Sequence, residues 1–344
     1  MWWIQTKVSQ LERRAPARWR MFGSLELLLL CFLLVACADR RPVATATVPT
    51  EATATVPPTA PAAAPAAAGF YYGVLQLAST VDDIRSPERL AHEMQRTKAL
   101  GANLVAQVFP PELSPDDWRT FLDVAQQEEL FVLGKIGPGA DNPDPTDLSP
   151  ILNILRVVGD HPALYGYIYL HEPWEEFDNA QMLAMYREIK AAYPHVRLGV
   201  FWSGEIGLSE QRGNSNQRFT DGLCDVCIVN LKPFQSDPTE EERQGLGRMR
   251  DAASVILERD SDAEIWSSAQ VWSRPGGGRR GFRVPSPDEM ETLFCTLRRD
   301  YPLRGFLWET WTIDKPNEGT LASAELRQQR EAMRRIYDSC VHNQ

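Results

Sequence analysis

The feature of the sequence that most restricts its fold is a regular alternation, from residue 70 onward, of short apolar runs with amphipathic stretches. The runs are rich in Val, Ile, Leu and aromatic residues and are apolar on both faces, as the strands of a helix-covered parallel sheet must be. The predicted strands are residues 70–78, 102–109, 131–137, 164–170, 196–202, 223–231, 264–271 and 304–311. The predicted helices include residues 88–100, 116–128, 179–192, 240–258, 288–299 and 324–340.

Several predicted helices have marked starts, at which a capping side chain precedes a proline in the first helical position. These pairs are Ser86-Pro87, Ser114-Pro115, Asp237-Pro238 and Ser286-Pro287. Ser286 with Glu289 also fits a capping box. Such starts support the division into strand–helix units.

Eight strand–helix units in about 270 residues are the count and size of an α/β fold of the (β/α)8 TIM barrel type. A doubly wound open sheet is the alternative. It is weighed lower because no Gly-rich phosphate loop follows the first strand, where Gly73 is isolated. Residues 205–221 are polar and poorly periodic, so the fifth unit is predicted to be mostly loop.

The N-terminal segment reads as an export signal. Residues 13–20 are basic, and residues 27–35 form an apolar run that is much shorter than the roughly 20 residues needed to span a bilayer. The run ends in Leu34-Val35-Ala36-Cys37, which resembles the bacterial lipobox. The resemblance implies that Cys37 becomes the lipidated first residue of an extracytoplasmic protein held to a bacterial membrane. An ordinary signal peptide cleaved nearby, or an uncleaved short anchor, is the alternative.

The predicted organisation is therefore a lipoprotein signal peptide at 1–36, a lipid-anchored flexible linker at 37–69 and a barrel domain at 70–344. The linker is assigned because residues 41–68 are mostly Pro, Ala, Thr and Val with almost no charge, a composition that cannot build a core.

Net charge restricts the partners. The chain carries a formal charge of −10, and residues 1–36 hold five basic and two acidic side chains, so their removal leaves about −13. An acidic surface repels phosphate backbones, which argues against nucleic acid as a partner. A neutral small ligand and a monomer are expected.

The predicted strand ends carry carboxylates, amides and tryptophans, and in this fold catalytic groups come from the C-terminal ends of strands. Indole faces stack on the apolar faces of sugar rings, while carboxylates and amides hydrogen-bond to hydroxyls, so a carbohydrate substrate is expected. The predicted catalytic residues are Glu172 and Glu309. The predicted substrate-binding residues are His171, Trp174, Trp202, Asn230, Gln270, Trp272, Trp308 and Trp311.

Side-chain alternation groups Glu172 with Ile168 and Leu170, and Glu309 with Leu307. If these sets face the barrel axis, both carboxylates project over the barrel mouth. The opposite orientation would point them at the helix layer, where each charge would need a partner.

The segment Tyr165-Gly-Tyr-Ile-Tyr-Leu-His-Glu-Pro-Trp174 resembles the fourth-strand motif of barrel glycoside hydrolases, in which an aliphatic or aromatic strand ends in Asp-Glu-Pro or Asn-Glu-Pro. Segments 263–272, 283–290 and 304–311 resemble the seventh and eighth strands of glycosidase barrels. The resemblance implies a sugar-processing barrel with Glu172 as general acid/base.

The sequence departs from that pattern in two places. His171 stands where the motif has Asn or Asp, and Gln270 is the nearest match to the strand-seven Glu of retaining barrels. The second carboxylate is then Glu309, whose strand lies across the barrel, as suits the ~6.5–9.5 Å spacing of inverting enzymes rather than the ~5–5.5 Å of retaining ones. The resulting hypothesis is that Glu172 protonates the leaving oxygen and Glu309 or Glu205 activates water.

Two other functions remain open from the sequence. The missing strand-seven carboxylate favours a non-catalytic glycan-binding lipoprotein on a degenerate barrel, and a structural cell-envelope protein is a third possibility. At the residue level, Glu172 and Glu309 would then form buried ion pairs, and the tryptophans would serve packing alone.

No metal or cofactor is expected, because the five histidines are scattered and Pro173 would break a zinc-protease helix starting at His171. Cys224 and Cys227 fall in a predicted strand, so their side chains are expected to face opposite ways as small core residues. Cys295 and Cys340 fall on the last two helices, where an exported location permits a disulfide.

Overall fold

The computed structural model describes residues 69–136, 142–173, 176–203, 219–235, 246–273, 281–312 and 320–342. The export signal and linker predicted before residue 69, the lipidation site Cys37, and the predicted site residues Trp174 and Glu205 lie outside the described residues.

Eight parallel strands pair in sequence order, and the last strand pairs with the first to close a barrel. The strands are β1 Tyr71–Leu75, β2 Leu104–Phe109, β3 Phe131–Ile136, β4 Leu164–His171, β5 Leu198–Ser203, β6 Val226–Leu231, β7 Glu264–Gln270 and β8 Gly305–Glu309. All eight fall within or at the predicted apolar runs. The fold is a (β/α)8 barrel, as predicted, and not an open sheet.

Helices cover the outside of the barrel. Apart from the one-turn helix Val81–Ile84, the α-helices of the described residues are α1 Pro87–Lys98, α2 Pro115–Gln127, α3 Ser149–Val158, α4 Asn179–Ala192, α5 Leu246–Arg259, α6 Pro287–Asp300 and α7 Arg327–Ile336. Residues 204–218, between β5 and β6, are outside the described part of the chain. None of the described helices has both the length and the apolar character needed to cross a bilayer.

The predicted helix starts hold in part. Ser114 and Ser286 each accept a hydrogen bond from a backbone N–H in the first turn, and both form capping boxes, the second with Glu289 as expected. Ser86 precedes its helix in extended conformation, but its side chain makes no capping bond. The proline at the first helical position is compatible with that start without a cap. Asp237 lies outside the described residues.

Two apolar cores result from the alternation of side chains along the strands. The inner core fills the barrel with residues such as Leu133, Ile168, Phe201 and Leu307, while the outer core packs strands against helices. The inner core includes Trp266, which stacks on Tyr71 with ring centroids 5.4 Å apart. Polar side chains in the inner set of positions on β6, β7 and β8 follow these apolar ones toward the C-terminal ends of the strands.

Both cysteine pairs within the described residues are disulfides. The expectation that Cys224 and Cys227 face opposite ways is wrong, because β6 begins only at Val226 and Cys224 precedes the strand. Both cysteines lie in the outer core. The Cys295–Cys340 disulfide links α6 to the segment after α7, as considered from the sequence.

Replacing both Cys295 and Cys340 by serine should lower the free energy of unfolding by about 3–4 kcal/mol, because the bond closes a 45-residue loop in the unfolded chain. Chemical denaturation of the oxidised protein and of the double variant measures the difference. The wild type under reducing conditions also loses Cys224–Cys227, a bond that closes a loop of only three residues, so its stability should fall at least to that of the variant. Equal stability of all three would contradict the prediction.

Candidate functional site

The end of β8 places Glu309 at the barrel mouth. Glu309 lies two residues after Leu307 and therefore on the same face of β8. Because Leu307 belongs to the inner core, the Glu309 side chain faces the barrel axis, which is one of the two predicted orientations. The residue is 6% exposed, and its Oε1 atom accepts a hydrogen bond of 2.7 Å from Ser268 Oγ on β7. The peptide bond that follows, Glu309–Thr310, is cis.

The environment of Glu309 favours its protonated form. Burial raises the pKa of its carboxyl, and the nearby charge of Glu172 raises it further, while Lys232 and the hydrogen bond from Ser268 act in the opposite direction. The net effect is a pKa above the ordinary value, so this carboxyl keeps its proton to higher pH than a free glutamate does.

Glu172 follows β4, and regular side-chain alternation along that strand does not set its orientation as predicted. A register shift between Ile168 and Leu170 breaks the alternation, so Ile168 lies in the inner core and Leu170 in the outer one. Glu172 then adopts a left-handed conformation with φ of 45°, and its N–H donates to the Phe201 carbonyl at 2.7 Å. The grouping of Glu172 with Leu170 was therefore wrong.

The Glu172 carboxylate nevertheless reaches the barrel mouth. Its Oε1 atom lies 3.5 Å from Lys232 Nζ and 3.4 Å from Asn230 Nδ2, both presented by the end of β6. About a third of the Glu172 side chain is exposed. This carboxylate therefore faces solvent while it contacts one ammonium group and one amide.

A chain of polar contacts joins the two carboxyl groups. Ser268 Oγ, which bonds to Glu309, also lies 3.3 Å from Asn230 Oδ1, and the Nδ2 atom of the same amide contacts Glu172. The four residues come from β4, β6, β7 and β8, so barrel closure brings them together. Asn230, predicted as substrate-binding, here bridges the two predicted catalytic residues.

His171 is held rigidly beside Glu172. Its backbone exchanges two hydrogen bonds with the Asn142 side chain, of 2.6 and 2.9 Å, and its ring stacks on Phe201 with centroids 5.3 Å apart. Burial lowers the pKa of His171 to about 4, with Glu172 opposing this effect and the nearby Lys135 and Lys232 adding to it. The imidazole is therefore neutral at neutral pH and offers one donor and one acceptor.

Gln270 ends β7 beside Glu309, its register partner on β8. Its side chain is fully buried, and its Nε2 atom donates to the Phe234 carbonyl at 2.8 Å. Its Oε1 atom is buried and has no hydrogen-bond partner among the described residues. The strand position that carries a carboxylate in retaining barrels thus holds a neutral amide.

Three of the predicted sugar-stacking tryptophans do not reach the mouth. Trp202, Trp308 and Trp311 have no exposed surface and belong to the outer core between strands and helices, so the prediction is wrong for them. The indole N–H groups bond internally, to Cys224 Sγ, Tyr72 Oη and the Glu93 carboxylate respectively. A residue next to an inward-facing one along a strand must face outward, as Trp308 does beside Glu309.

Trp272 is the one predicted tryptophan in the described part of the chain with an exposed surface. It is half-buried just after β7, and its ring packs edge-to-face on Phe282 at 5.0 Å between centroids. It remains a candidate for sugar stacking.

Sequence reasoning missed three polar side chains of this site. They are Lys232, just after β6, Ser268 on β7 and the buried Lys135 on β3, none of which was predicted as a site residue. Ser268 and Lys135 each lie in an otherwise apolar strand, two residues after an inner-core residue, so both share the inward-facing side of their strand. That alternation was the available signal.

Comparisons with known proteins extend the fold assignment. No family model and no curated protein sequence matches the chain. Solved structures with the same fold include a GH5_18 protein from Bifidobacterium longum subsp. infantis, with 13% identity, a TM-score of 0.59 and coverage of 79% of each chain. An endo-1,4-beta-mannanase from Eisenia fetida has 13% identity, a TM-score of 0.51 and coverage of 78% of this chain and 91% of its own.

A third similar structure is that of an alpha-L-fucosidase assigned as putative, from Bacteroides thetaiotaomicron, with 12% identity, a TM-score of 0.52 and coverage of 78% of this chain and 96% of its own. Identities this low establish a shared barrel and no shared reaction. The chain therefore has the (β/α)8 fold that is found in glycoside hydrolases.

Proposed function

We propose that this chain is an exported, lipid-anchored glycoside hydrolase whose catalytic carboxyl groups are Glu172 and Glu309. The observation that carries the proposal is that these two groups, from strands on opposite sides of the barrel, both lie at its C-terminal mouth and are joined there by polar contacts through Asn230 and Ser268. Glycoside hydrolysis usually requires two such carboxyl groups flanking the scissile bond. The glycoside hydrolase barrels that share the fold support the same reaction class.

We assign different roles to the two carboxyl groups because their environments differ. Glu309 is buried, which favours its protonated form, whereas Glu172 is partly exposed and contacts the Lys232 ammonium. Paired carboxyl groups held in opposite protonation states supply an acid and a base at one pH. Glu309 is therefore the acid and Glu172 the base, which reverses the hypothesis drawn from the sequence.

The reaction then proceeds by proton transfers at the two ends of one displacement. The proton of Glu309 moves to the glycosidic oxygen as the bond from that oxygen to the anomeric carbon breaks. Glu172 takes a proton from a water molecule as the water oxygen bonds to the same carbon. The products are the free sugar and the free alcohol, and proton exchange with solvent restores both carboxyl groups.

A neutral sugar fits the remaining polar groups. His171 is uncharged at neutral pH, and its side chain is partly exposed. Hydroxyl groups of a sugar can serve as both donors and acceptors to such groups.

Incubation of the purified protein with a panel of chromogenic glycosides and polysaccharides tests the proposal. Release of chromophore or of reducing ends from at least one member is the expected result. Affinity measurements on the same panel, by calorimetry, accompany the assay. Binding to a glycan that the protein never cleaves, or no interaction with any member, would refute the proposed activity.

Glycan binding without catalysis is the second candidate function. It is favoured by Gln270, because a neutral amide at the end of β7 cannot act as the nucleophile of a retaining enzyme. The same panel separates the two candidates, since a binding protein gives affinity without turnover.

Export is supported by the disulfides. Cys224–Cys227 and Cys295–Cys340 are bonds that persist in oxidising compartments outside the cytosol. Together with the Leu-Val-Ala-Cys segment, they support lipidation at Cys37 and attachment to a membrane.

Replacing Cys37 by serine should release the protein from the membrane, because it removes the site of lipid attachment. Fractionation of bacterial cells that express either form, followed by immunodetection, gives the distribution. Cys31→Ser is the matched control and should remain in the membrane fraction. A Cys37→Ser protein that stays with the membrane would contradict the prediction.

A further inference from the structure

Ser268 stands between two hydrogen-bond acceptors. Its Oγ atom is 2.7 Å from Glu309 Oε1 and 3.3 Å from Asn230 Oδ1. A serine hydroxyl has one proton to donate but can also accept. Both contacts are therefore hydrogen bonds at the same time only if one of the partners donates to Ser268.

Glu309 is the partner that is able to donate. When its carboxyl is protonated, Glu309 donates to Ser268 Oγ, which donates to Asn230 Oδ1, and Asn230 Nδ2 is held toward Glu172 Oε1 at 3.4 Å. When Glu309 is ionised, it can only accept, and the charged acceptor takes the Ser268 proton. Asn230 Oδ1 then loses its donor.

We propose that Ser268 is a positioning residue that couples the protonation of Glu309 to the orientation of Asn230 and, through that amide, to the carboxylate of Glu172. Its catalytic meaning rests on the proposed function. With Glu309 protonated, the chain of donors runs toward Glu172 and stabilises its charge. With Glu309 ionised, this stabilisation of the Glu172 charge is lost. The protonated form of Glu309 and the ionised form of Glu172 therefore favour one another.

The surroundings leave few competing groups. Ser268 is fully buried, and Asn230 and Glu309 are each 6% exposed, so bulk water does not replace the contacts. Among the described residues, the charged groups that act on Glu309 are Lys232 and Glu172. Its register neighbours on the adjoining strands, Leu75 on β1 and Gln270 on β7, are uncharged. Outside this chain of contacts, His171 and Lys232 act on Glu172.

Carboxyl titration by NMR tests the coupling without reference to activity. The full-length protein is labelled with ¹³C at the glutamate side-chain carboxyl, and the Glu309 signal is assigned by its absence from Glu309→Gln. In Ser268→Ala the Glu309 midpoint should rise by about one pH unit, because the ionised form loses its donor. Ser267→Ala is the matched control. The Ser267 side chain lies on the other face of β7, where its hydroxyl donates to the Val229 carbonyl of β6, so the Glu309 midpoint should not move in this variant.

The Asn230 side-chain amide gives the second readout. In the wild type its ¹H–¹⁵N signals should follow the Glu309 titration, and in Ser268→Ala they should not. Thr and Val at position 268 have nearly the same shape and differ in the hydroxyl, so Ser268→Thr should keep the coupling and Ser268→Val should lose it. This pair also decides the question if Ser268→Ala does not fold.

An unchanged Glu309 midpoint in Ser268→Ala, or an Asn230 signal that still follows Glu309 in Ser268→Val, would overturn the inference even if the protein hydrolyses glycans. If no glycan is cleaved but the titrations behave as described, the coupling stands and the proposed function alone fails. For an active enzyme, the acid-form limb of the kcat profile should move with the Glu309 midpoint.

Discussion

Glu172→Gln is expected to lower kcat for glycan hydrolysis by at least ~10³-fold, because the amide cannot take a proton from the attacking water. The substitution keeps the size of the side chain, and its carbonyl can still accept from Asn230 Nδ2 and Lys232 Nζ. Substrate affinity should therefore change little. A fall in kcat without a matching change in KM identifies an interaction that the enzyme makes only in the transition state.

Initial rates on the best substrate from the glycoside panel, together with calorimetric affinities, provide the measurement. Glu188→Gln is the matched control, since Glu188 is an exposed carboxylate on the outer face of α4. The control should retain wild-type rates. A Glu172→Gln protein that keeps more than about a tenth of wild-type kcat would remove Glu172 from the mechanism.

The barrel itself was predictable because each of its strands is buried on both faces. That burial demands an uninterrupted apolar run, and eight such runs separated by amphipathic stretches fit few folds. The helix starts were predictable for a similar local reason at Ser114 and Ser286, where the capping side chain and its partner lie three residues apart.

The orientation of the site residues was less predictable, and the two catalytic candidates illustrate why. On β8 the alternation is regular, so Leu307 correctly indicates where Glu309 points. On β4 a register shift and a left-handed residue intervene, and neither has a sequence signal near Glu172. The carboxylate reaches the mouth through backbone geometry that only coordinates reveal.

The prediction of sugar-stacking tryptophans was wrong for another reason. Their abundance at strand ends suggested sugar stacking, but composition does not distinguish a residue that faces the mouth from its neighbour that faces the helices. Trp308 adjoins Glu309, and alternation alone would have turned it outward. The polar residues Ser268 and Lys135 were not predicted, because a single polar residue within an apolar strand does not show from composition whether it faces the barrel axis or the helices.

Burial makes Glu309 costly for stability as well as useful for catalysis, and the two effects can be measured in one variant. The pKa of Glu309 is raised in the folded protein above its ordinary value of 4.5. The folded state therefore binds the proton more tightly than the unfolded state does. The contribution of Glu309 to the free energy of unfolding is fully present below about pH 4.5 and is lost as the pH rises through the pKa of the folded state. The loss is about 1.4 kcal/mol for each unit by which the folded pKa exceeds the unfolded one.

Glu309→Gln should consequently be more stable than the wild type at pH 8, with an advantage that shrinks as pH falls toward 4.5. The variant should also lose hydrolysis by ~10²–10⁴-fold, because it has no proton to give to the leaving oxygen. Gln can donate its amide N–H to Ser268 Oγ, so the packing is preserved. Chemical denaturation at pH 5, 6, 7 and 8 measures the first effect, and initial rates measure the second.

Glu289→Gln is the matched control with the opposite sign. Hydrogen bonds from Arg283 and the Ser286 cap hold the pKa of Glu289 at about 2, so its stabilising effect is present at neutral pH and is lost as pH falls toward that value. That variant should be less stable than the wild type at pH 8 and should retain activity. Loss of activity in Glu309→Gln together with a gain in stability at high pH is the combination expected of a carboxyl group buried for catalysis. A variant destabilised equally at every pH would instead identify Glu309 as a structural residue, and the proposed acid would have to be sought elsewhere on the barrel mouth.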